Sequence, residues 1–234
     1  MPTKEAVFET ILICNGQPVA FTQHVSRLEA ATGINAKDFI LQQIKETTGF
    51  GRLRIDYSIT ARLSSHYRLI NKPAFFQGRF EYFTVTPIRL PGHYAQSGLG
   101  DRKYSDRQLL ESLELELTPH VPLLLDGDDF VLETSRHSVF MIDGDTLMTP
   151  PLDGRILPGI TRHELIRLAQ SLNISVEEKP LKIEDIWKSQ GLLLSNSIIG
   201  VGWVSDIGNQ KFMPIPELAI QLREALAEAW KSKV

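Results

Sequence analysis

The chain has 234 residues, enough to bury one large core or two modest ones. Its 25 Lys and Arg against 28 Asp and Glu leave a net charge of −3, without the basic excess of a nucleic-acid binder. A single cysteine, Cys14, rules out an internal disulfide, and no apolar run approaches the ~20 residues that cross a bilayer.

The opening residues, MPTKEA, lack the apolar core of a signal peptide. The expectation is a cytoplasmic protein with a small-molecule substrate and neither a nucleic-acid nor a membrane partner. Ala6 to Ile13 reads as a strand, Asn15-Gly16 as a turn, and Gln17 to Phe21 as the returning strand of a hairpin. His24 to Ala31 has helical spacing through Val25 and Leu28, and Ala36 to Glu46 reads as a second helix. Leu53 to Thr60 and Phe80 to Thr86, rich in β-branched and aromatic residues, read as strands. This mixed order predicts an α+β or α/β unit over residues 1–86.

Residues 87–100 hold prolines and glycines without a period and read as an interdomain linker. A larger α/β domain over residues 101–234 is expected next. It opens on a helix from Arg107 to Leu117 that Ser105 or Asp106 can cap. Strands follow at Asp129 to Asp143, Thr146 to Thr149, Ile174 to Leu181 and Gly191 to Ser197. Ile160 to Leu172 and Pro216 to Trp230 are amphipathic helices.

Four segments carry chemistry together: His24-Val-Ser-Arg27-Leu28, Asp101-Arg-Lys103-Tyr104, Leu132 to Phe140 around Glu133, and Leu157-Pro-Gly159-Ile160-Thr161-Arg162, joined by Ser195-Asn196-Ser197. Each alone is commonplace, since a loop lysine is usually a surface charge. As a set they are more specific. A helix N-terminus at Gly159, Ile160 and Thr161 offers free N–H groups and a positive dipole end, and with the Ser197 hydroxyl and the Arg27 fork it could hold a phosphate dianion. Lys103, placed between a glycine-rich stretch and a helix, could point into a cleft where desolvation frees its amine. Glu133 on a strand could pair with a pyridinium nitrogen.

These segments resemble the class IV pyridoxal 5′-phosphate (PLP) enzymes of fold type IV, over about Phe8 to Val204. That family holds the branched-chain and D-amino-acid aminotransferases and 4-amino-4-deoxychorismate lyase. Phe8-Glu9-Thr10 followed by His24-x-x-Arg27-Leu28 is similar to the family's early signature, whose arginine binds the PLP phosphate. Lys103 matches the Schiff-base lysine and Glu133 the glutamate at the pyridine nitrogen. Phe140 ends a pattern in which Ser138 replaces the usual Asn. Gly159, Ile160 and Thr161 resemble the phosphate turn, and Asn196 and Ser197 fall on its second half.

The resemblance implies two domains with PLP in the cleft between them, and a homodimer. Asn196-Ser197-x-x-Gly200 and Lys103-x-x-Asp106-Arg107 are closer to the lyase branch, which converts 4-amino-4-deoxychorismate to 4-aminobenzoate and pyruvate for folate biosynthesis. On that reading Lys103 is the general base, and Arg54 and Arg107 are candidates for the substrate carboxylates. An aminotransferase for branched-chain or D-amino acids is the alternative, and a non-catalytic binding protein on the same fold is a third reading. Gly200-Val-Gly202 is a poor dinucleotide fingerprint with no helix after it, the scattered histidines predict no metal site, and no nucleophile elbow is present.

Overall fold

The structure is a computed structural model that describes residues 6–44, 48–58, 60, 62–92, 100, 102–104 and 107–232. Strand β1 (Val7–Cys14) turns through Asn15 and Gly16, both at positive φ as a two-residue hairpin needs, into the short β2 (Gln17–Pro18). Phe21, expected at the end of that strand, instead opens helix α1 (Phe21–Thr32). Val25 and Leu28 turn α1 onto the sheet, and Gly33 closes it in the left-handed conformation, donating its N–H to the Glu29 carbonyl. Helix α2 (Lys37–Gln43) is shorter than expected. Strands β3 (Phe50–Tyr57) and β4 (Leu63–Ile70) complete a four-stranded sheet in the order β2-β1-β3-β4.

The second sheet begins with β5 (Glu81–Arg89), after a 3-10 turn at Ala74–Gln77. Its other members are β6 (Val121–Leu125), β7 (Phe130–Thr134), β8 (Ser138–Asp143), β9 (Thr146–Thr149), β10 (Ser175–Glu178), β11 (Leu181–Lys182), β12 (Gly191–Asn196), β13 (Gly200–Ile207) and β14 (Gln210–Lys211). They run in the order β10-β9-β8-β12-β13-β5-β6-β7-β11, with β14 on β13. The boundary expected after Thr86 is therefore corrected. It falls inside β5, whose residues up to Arg89 hydrogen-bond β6 of the large sheet, so Pro87 to Arg89 belong to a strand. The cap expected at Ser105 or Asp106 lies outside the described residues.

Helix α3 (Gln108–Leu117) lays Leu109, Leu110 and Leu113 on a cluster of Leu90, Leu124, Leu132 and Ile156. Helices α4 (Ile160–Ser171) and α6 (Glu217–Lys231), with the short α5 (Ile183–Lys188) between them, cover the large sheet. Trp203, Trp230, Phe75 and Phe140 are fully buried in its core, where Phe75 meets Trp230 edge-on at 5.3 Å.

The small sheet has two different faces. Val7, Ile11, Ile13, Leu53 and Ile55 pack beneath α1 and α2, whereas Leu12 and Cys14 join the large core. Antiparallel register puts Phe8, Thr10 and Leu12 on the face of Asp56, Arg54 and Arg52. That face looks toward the large sheet. No helix among the described residues is long and apolar enough to cross a membrane.

Candidate active site

Glu9 is the one acid in a strand buried along its whole length, and at 2% exposure it needs cations. It has two. Arg27 donates from Nε at 2.6 Å and from a terminal nitrogen at 2.8 Å, and His24 Nδ1 lies 2.8 Å from the second oxygen. Burial alone would raise the Glu9 carboxyl, but Arg27 and His24 hold it well below the usual carboxylate range. The third Arg27 nitrogen donates to the Pro158 carbonyl at 3.0 Å, which ties α1 to the turn that opens α4.

That turn has a free end. Gly159 takes the N-cap position in extended backbone, and no side chain caps the helix. Its hydrogen atom is needed: a Cβ there would stand 2.7 Å from Ser138 Oγ. Thr161 is 1% exposed, and its hydroxyl has no hydrogen-bond partner among the described residues. Ser195 Oγ, opposite Ser138 in the β8–β12 register, is likewise buried without one.

Lys103 lies along β1, its carbonyl accepting from the Phe8 N–H at 2.8 Å while Tyr104 bridges Val7. Just upstream the chain rests on residues 155–156: a Cβ on Gly100 would stand 2.1 Å from the Arg155 carbonyl carbon, so only glycine passes. The Lys103 amine sits 4.9 Å from the centre of the Phe8 ring, and Arg54 and Arg107 address the same ring at 3.9 and 5.9 Å. Burial lowers the Lys103 amine to about 7, helped by the positive charges of Arg27, Arg107 and Arg52 against the pull of Glu9. Lys103, Arg27, Glu9 and Pro158 share the wall of a cavity of about 170 Å³.

Glu133, on β7, accepts the Leu157 N–H at 3.3 Å. Burial raises its carboxyl to about 7, although that bond and the charges of Arg107, Lys103 and Arg27 act against the rise. A buried amine that titrates near neutrality, and a buried acid that does the same and feels the charge of that amine, suit proton-transfer chemistry.

Arg27, Glu133, Lys103 and the turn before α4 are thus brought together. Arg27 and Leu157-Pro158-Gly159 join Glu9 to Glu133, and the Glu133 carboxyl feels the Lys103 charge. Arg107 donates to the Ser135 carbonyl and lies 3.8 Å from Glu114, and Arg54 is held by both oxygens of Asp56. Ser197 stands in the turn between β12 and β13. The Asn196 side chain is spent on that turn: its Oδ1 accepts the N–H groups of Ile198 and Ile199, and its Nδ2 donates to the Arg136 carbonyl at 3.3 Å. Asn196 therefore shapes the turn that presents Ser197.

Two features escape the sequence reading. Glu9 entered only as part of a motif, though a lone carboxylate in an apolar strand already asks for a buried cation. A row of basic residues, Arg52, Arg54, His66 and Arg68, lines a second cavity of about 200 Å³. No sequence signal marks that row, because it depends on the pairing of β3 with β4.

The family model described as amino-transferase class IV matches residues 6–207. The chain belongs to this family. A protein of Methanocaldococcus jannaschii, named as a candidate branched-chain-amino-acid aminotransferase, is 24% identical over an alignment covering 98% of this chain and 90% of that protein. Among solved structures, a candidate 4-amino-4-deoxychorismate lyase of Legionella pneumophila superimposes with a TM-score of 0.76 at 21% identity, covering 93% of this chain and 88% of that one. A hypothetical aminotransferase of Mycobacterium tuberculosis in its PLP-bound form also gives 0.76, at 20% identity, covering 98% of this chain and 90% of that one. The fold is the two-domain fold of type IV.

The cleft of this class IV chain fits PLP on the chemistry of its own residues. The orphaned Thr161 hydroxyl and the uncapped end of α4 are donors without an acceptor, which a phosphate supplies. Glu133 is a buried carboxyl with no ion pair among the described residues, and a protonated ring nitrogen would supply one. Lys103 is an amine available as a nucleophile near neutral pH.

Proposed function

We propose that the chain holds PLP between Lys103, Glu133 and the Gly159–Thr161 turn, and that it acts as a lyase on 4-amino-4-deoxychorismate, giving 4-aminobenzoate and pyruvate. The observation that carries the reading is the Lys103 amine, buried and lowered to about 7, in a cavity whose wall it shares with Arg27 and Pro158. Bound PLP supplies an electron sink conjugated to the substrate amine. Lys103 takes the proton from the carbon that bears the amine. The carbon–oxygen bond to the enolpyruvyl group then breaks, the ring becomes aromatic, and a proton returned to the departing enolate completes pyruvate. Arg27 acts on the cofactor side, through Pro158 and the helix opening. Thr161 and Ser197 donate to the phosphate, and Glu133 keeps the ring nitrogen protonated. Arg54 and Arg107, both over the Phe8 ring, are the candidates for the substrate carboxylate nearer the reacting amine.

The names of relatives favour a second reading, an aminotransferase, in which the same lysine shuttles a proton along the amine and a 2-oxo acid accepts the nitrogen. Both readings use a dimer in the cell, as the family resemblance implies. Borohydride reduction of the PLP-loaded protein, digestion and mass spectrometry test the shared part: the pyridoxyl group is expected on the peptide that carries Lys103. Pyruvate released from 4-amino-4-deoxychorismate without any 2-oxo acid supports the lyase, and release that requires an acceptor gives the aminotransferase. A purified protein with no yellow absorbance after PLP is supplied sinks both and leaves a binding protein on the enzyme fold.

A further inference from the structure

Strands β3 and β4 pair so that Arg52 faces Arg68 and Arg54 faces His66, and the register puts all four on the face of the sheet that carries Phe8 and looks toward the large domain. Like charges directly opposite one another on a sheet destabilise it, so four basic groups on adjacent cross-strand pairs call for a compensating anion. Among the described residues, the fold supplies little. Asp56 is taken by Arg54 with both oxygens, and Glu114 by Arg136, with Arg107 nearby. Among the described residues, Arg52 and Arg68 form no ion pair, and the Arg52 Nε is buried without a hydrogen-bond partner. Burial and the neighbouring Arg68, Arg136 and Arg54 all act against the Arg52 charge. The four side chains line a cavity of about 200 Å³, and Arg52 is close enough to Lys103 for its charge to act on that amine.

We infer that Arg52 and Arg68, with His66 beside them, form an anion subsite that takes the distal carboxylate of the substrate, so that the amino substrate is at least a dicarboxylate. This deepens the function proposed above and rests on its placing the reacting amine at Lys103. A guanidinium fork lining a cavity recognises a carboxylate bidentately and gains charge-assisted bonds that no side chain among the described residues gives it. The same wall repels an aliphatic side chain, because burying a branched hydrocarbon there would desolvate Arg52 and Arg68 without repayment. The subsite therefore argues against leucine, isoleucine and valine as substrates, and for amines that carry a second acid several bonds away.

Isothermal titration of the PLP-loaded protein with glutarate and with pentanoate isolates the second carboxylate, since the two acids share a five-carbon chain. Glutarate is expected to bind at least about tenfold more tightly, the scale of a charged hydrogen-bonded contact. Arg52→Gln and Arg68→Gln are each expected to remove about that factor for glutarate and to leave pentanoate unchanged, while Arg52→Lys and Arg68→Lys keep part of it and control for folding. Equal affinity for the two acids, or glutarate binding indifferent to both Gln variants, overturns the subsite. A change of oligomeric state in Arg52→Gln or Arg68→Gln, by light scattering and without loss of glutarate affinity, also overturns it and makes the row a subunit contact. The outcome is separable from the Lys103 assignment. Arginine-dependent glutarate binding with the pyridoxyl label elsewhere keeps the subsite and removes the reaction, and the converse result does the opposite.

Discussion

Arg27 and Pro158, 131 positions apart, are joined by a 3.0 Å hydrogen bond from the guanidinium to the proline carbonyl, while the rest of the same guanidinium holds Glu9. One side chain thus fixes the small sheet, helix α1 and the opening of α4 to each other. The arrangement is electrostatically demanding, because Glu9 is almost wholly enclosed.

Arg27→Ala leaves that carboxylate with His24 alone. Breaking a buried pair by removing one partner costs about 3–5 kcal/mol, and urea unfolding at pH 7 is expected to show a loss of that order. The pH dependence has a definite sign. Glu9 is held below its unfolded value, so its contribution is present above the unfolded carboxylate range and is lost as pH falls through the lower folded value. Wild type therefore weakens in acid, and the variant should weaken less steeply there. An unchanged midpoint at pH 7 would mean that the pair contributes nothing to stability.

Lys103 makes cofactor loading pH-dependent. With its amine near 7, the neutral fraction grows about tenfold per pH unit below that value and saturates above it. Stopped-flow absorbance on apo protein mixed with PLP should show a loading rate that climbs from pH 5.5 to 7 and flattens by pH 8. The folded value also lies below the 10.5 of a free lysine, so the unfolded chain binds more protons between about 7 and 10.5, and this group makes stability rise with pH across that window. Lys103→Met should remove both effects and the yellow absorbance with them. A loading rate still climbing steeply from pH 8 to 10 would place the amine in water.

The turn that opens α4 and the first hairpin were legible because their signals are local. A proline and glycine before an amphipathic run give the end of α4, and Asn15-Gly16 between apolar stretches gives the first hairpin. What stayed hidden depends on register and on close packing. Leu63–Ile70 has no clean alternation, so β4 went unread, and with it the facing of Arg52 and Arg68. The strand β13 carries Gly200 and Gly202, which propensity counts against a strand. Here they are required, since a Cβ at Gly200 would stand 2.7 Å from the Phe75 ring and one at Gly202 2.4 Å from Phe83. The break between domains was misplaced because β5 follows the small domain in sequence but pairs with β13 and β6 of the large sheet.

Glu133 is raised to about 7, so the folded protein binds more protons than the unfolded chain between about 4.5 and 7. This group contributes stability below 4.5 that is lost as pH rises through 7. Glu133→Gln removes the loss, and the apo variant should melt higher than wild type at pH 8. The cofactor responds in the opposite direction. Without a carboxylate at the ring nitrogen, turnover is expected to fall about tenfold to a hundredfold, the value of one charged hydrogen bond. Circular dichroism melts at pH 5 and 8 and a single-substrate rate assay check the two halves, and a variant that is less stable at pH 8 with unchanged turnover refutes both.

Thr161 separates packing from phosphate binding. Its hydroxyl is 1% exposed and unpartnered, so in the apo protein it is a buried polar group without compensation. Thr161→Val keeps the volume and removes the hydroxyl, and apo stability should hold or rise by about 1 kcal/mol. With PLP present the sign reverses, because the hydroxyl becomes a donor to a dianion at a helix opening. The affinity for PLP should fall about tenfold, and the melting temperature gained on adding PLP should shrink accordingly. Fluorescence titration with PLP and paired melts with and without it give both numbers. A variant destabilised in the apo state yet binding PLP as tightly as wild type would assign Thr161 to the packing of α4 and move the phosphate site away from the Gly159 turn.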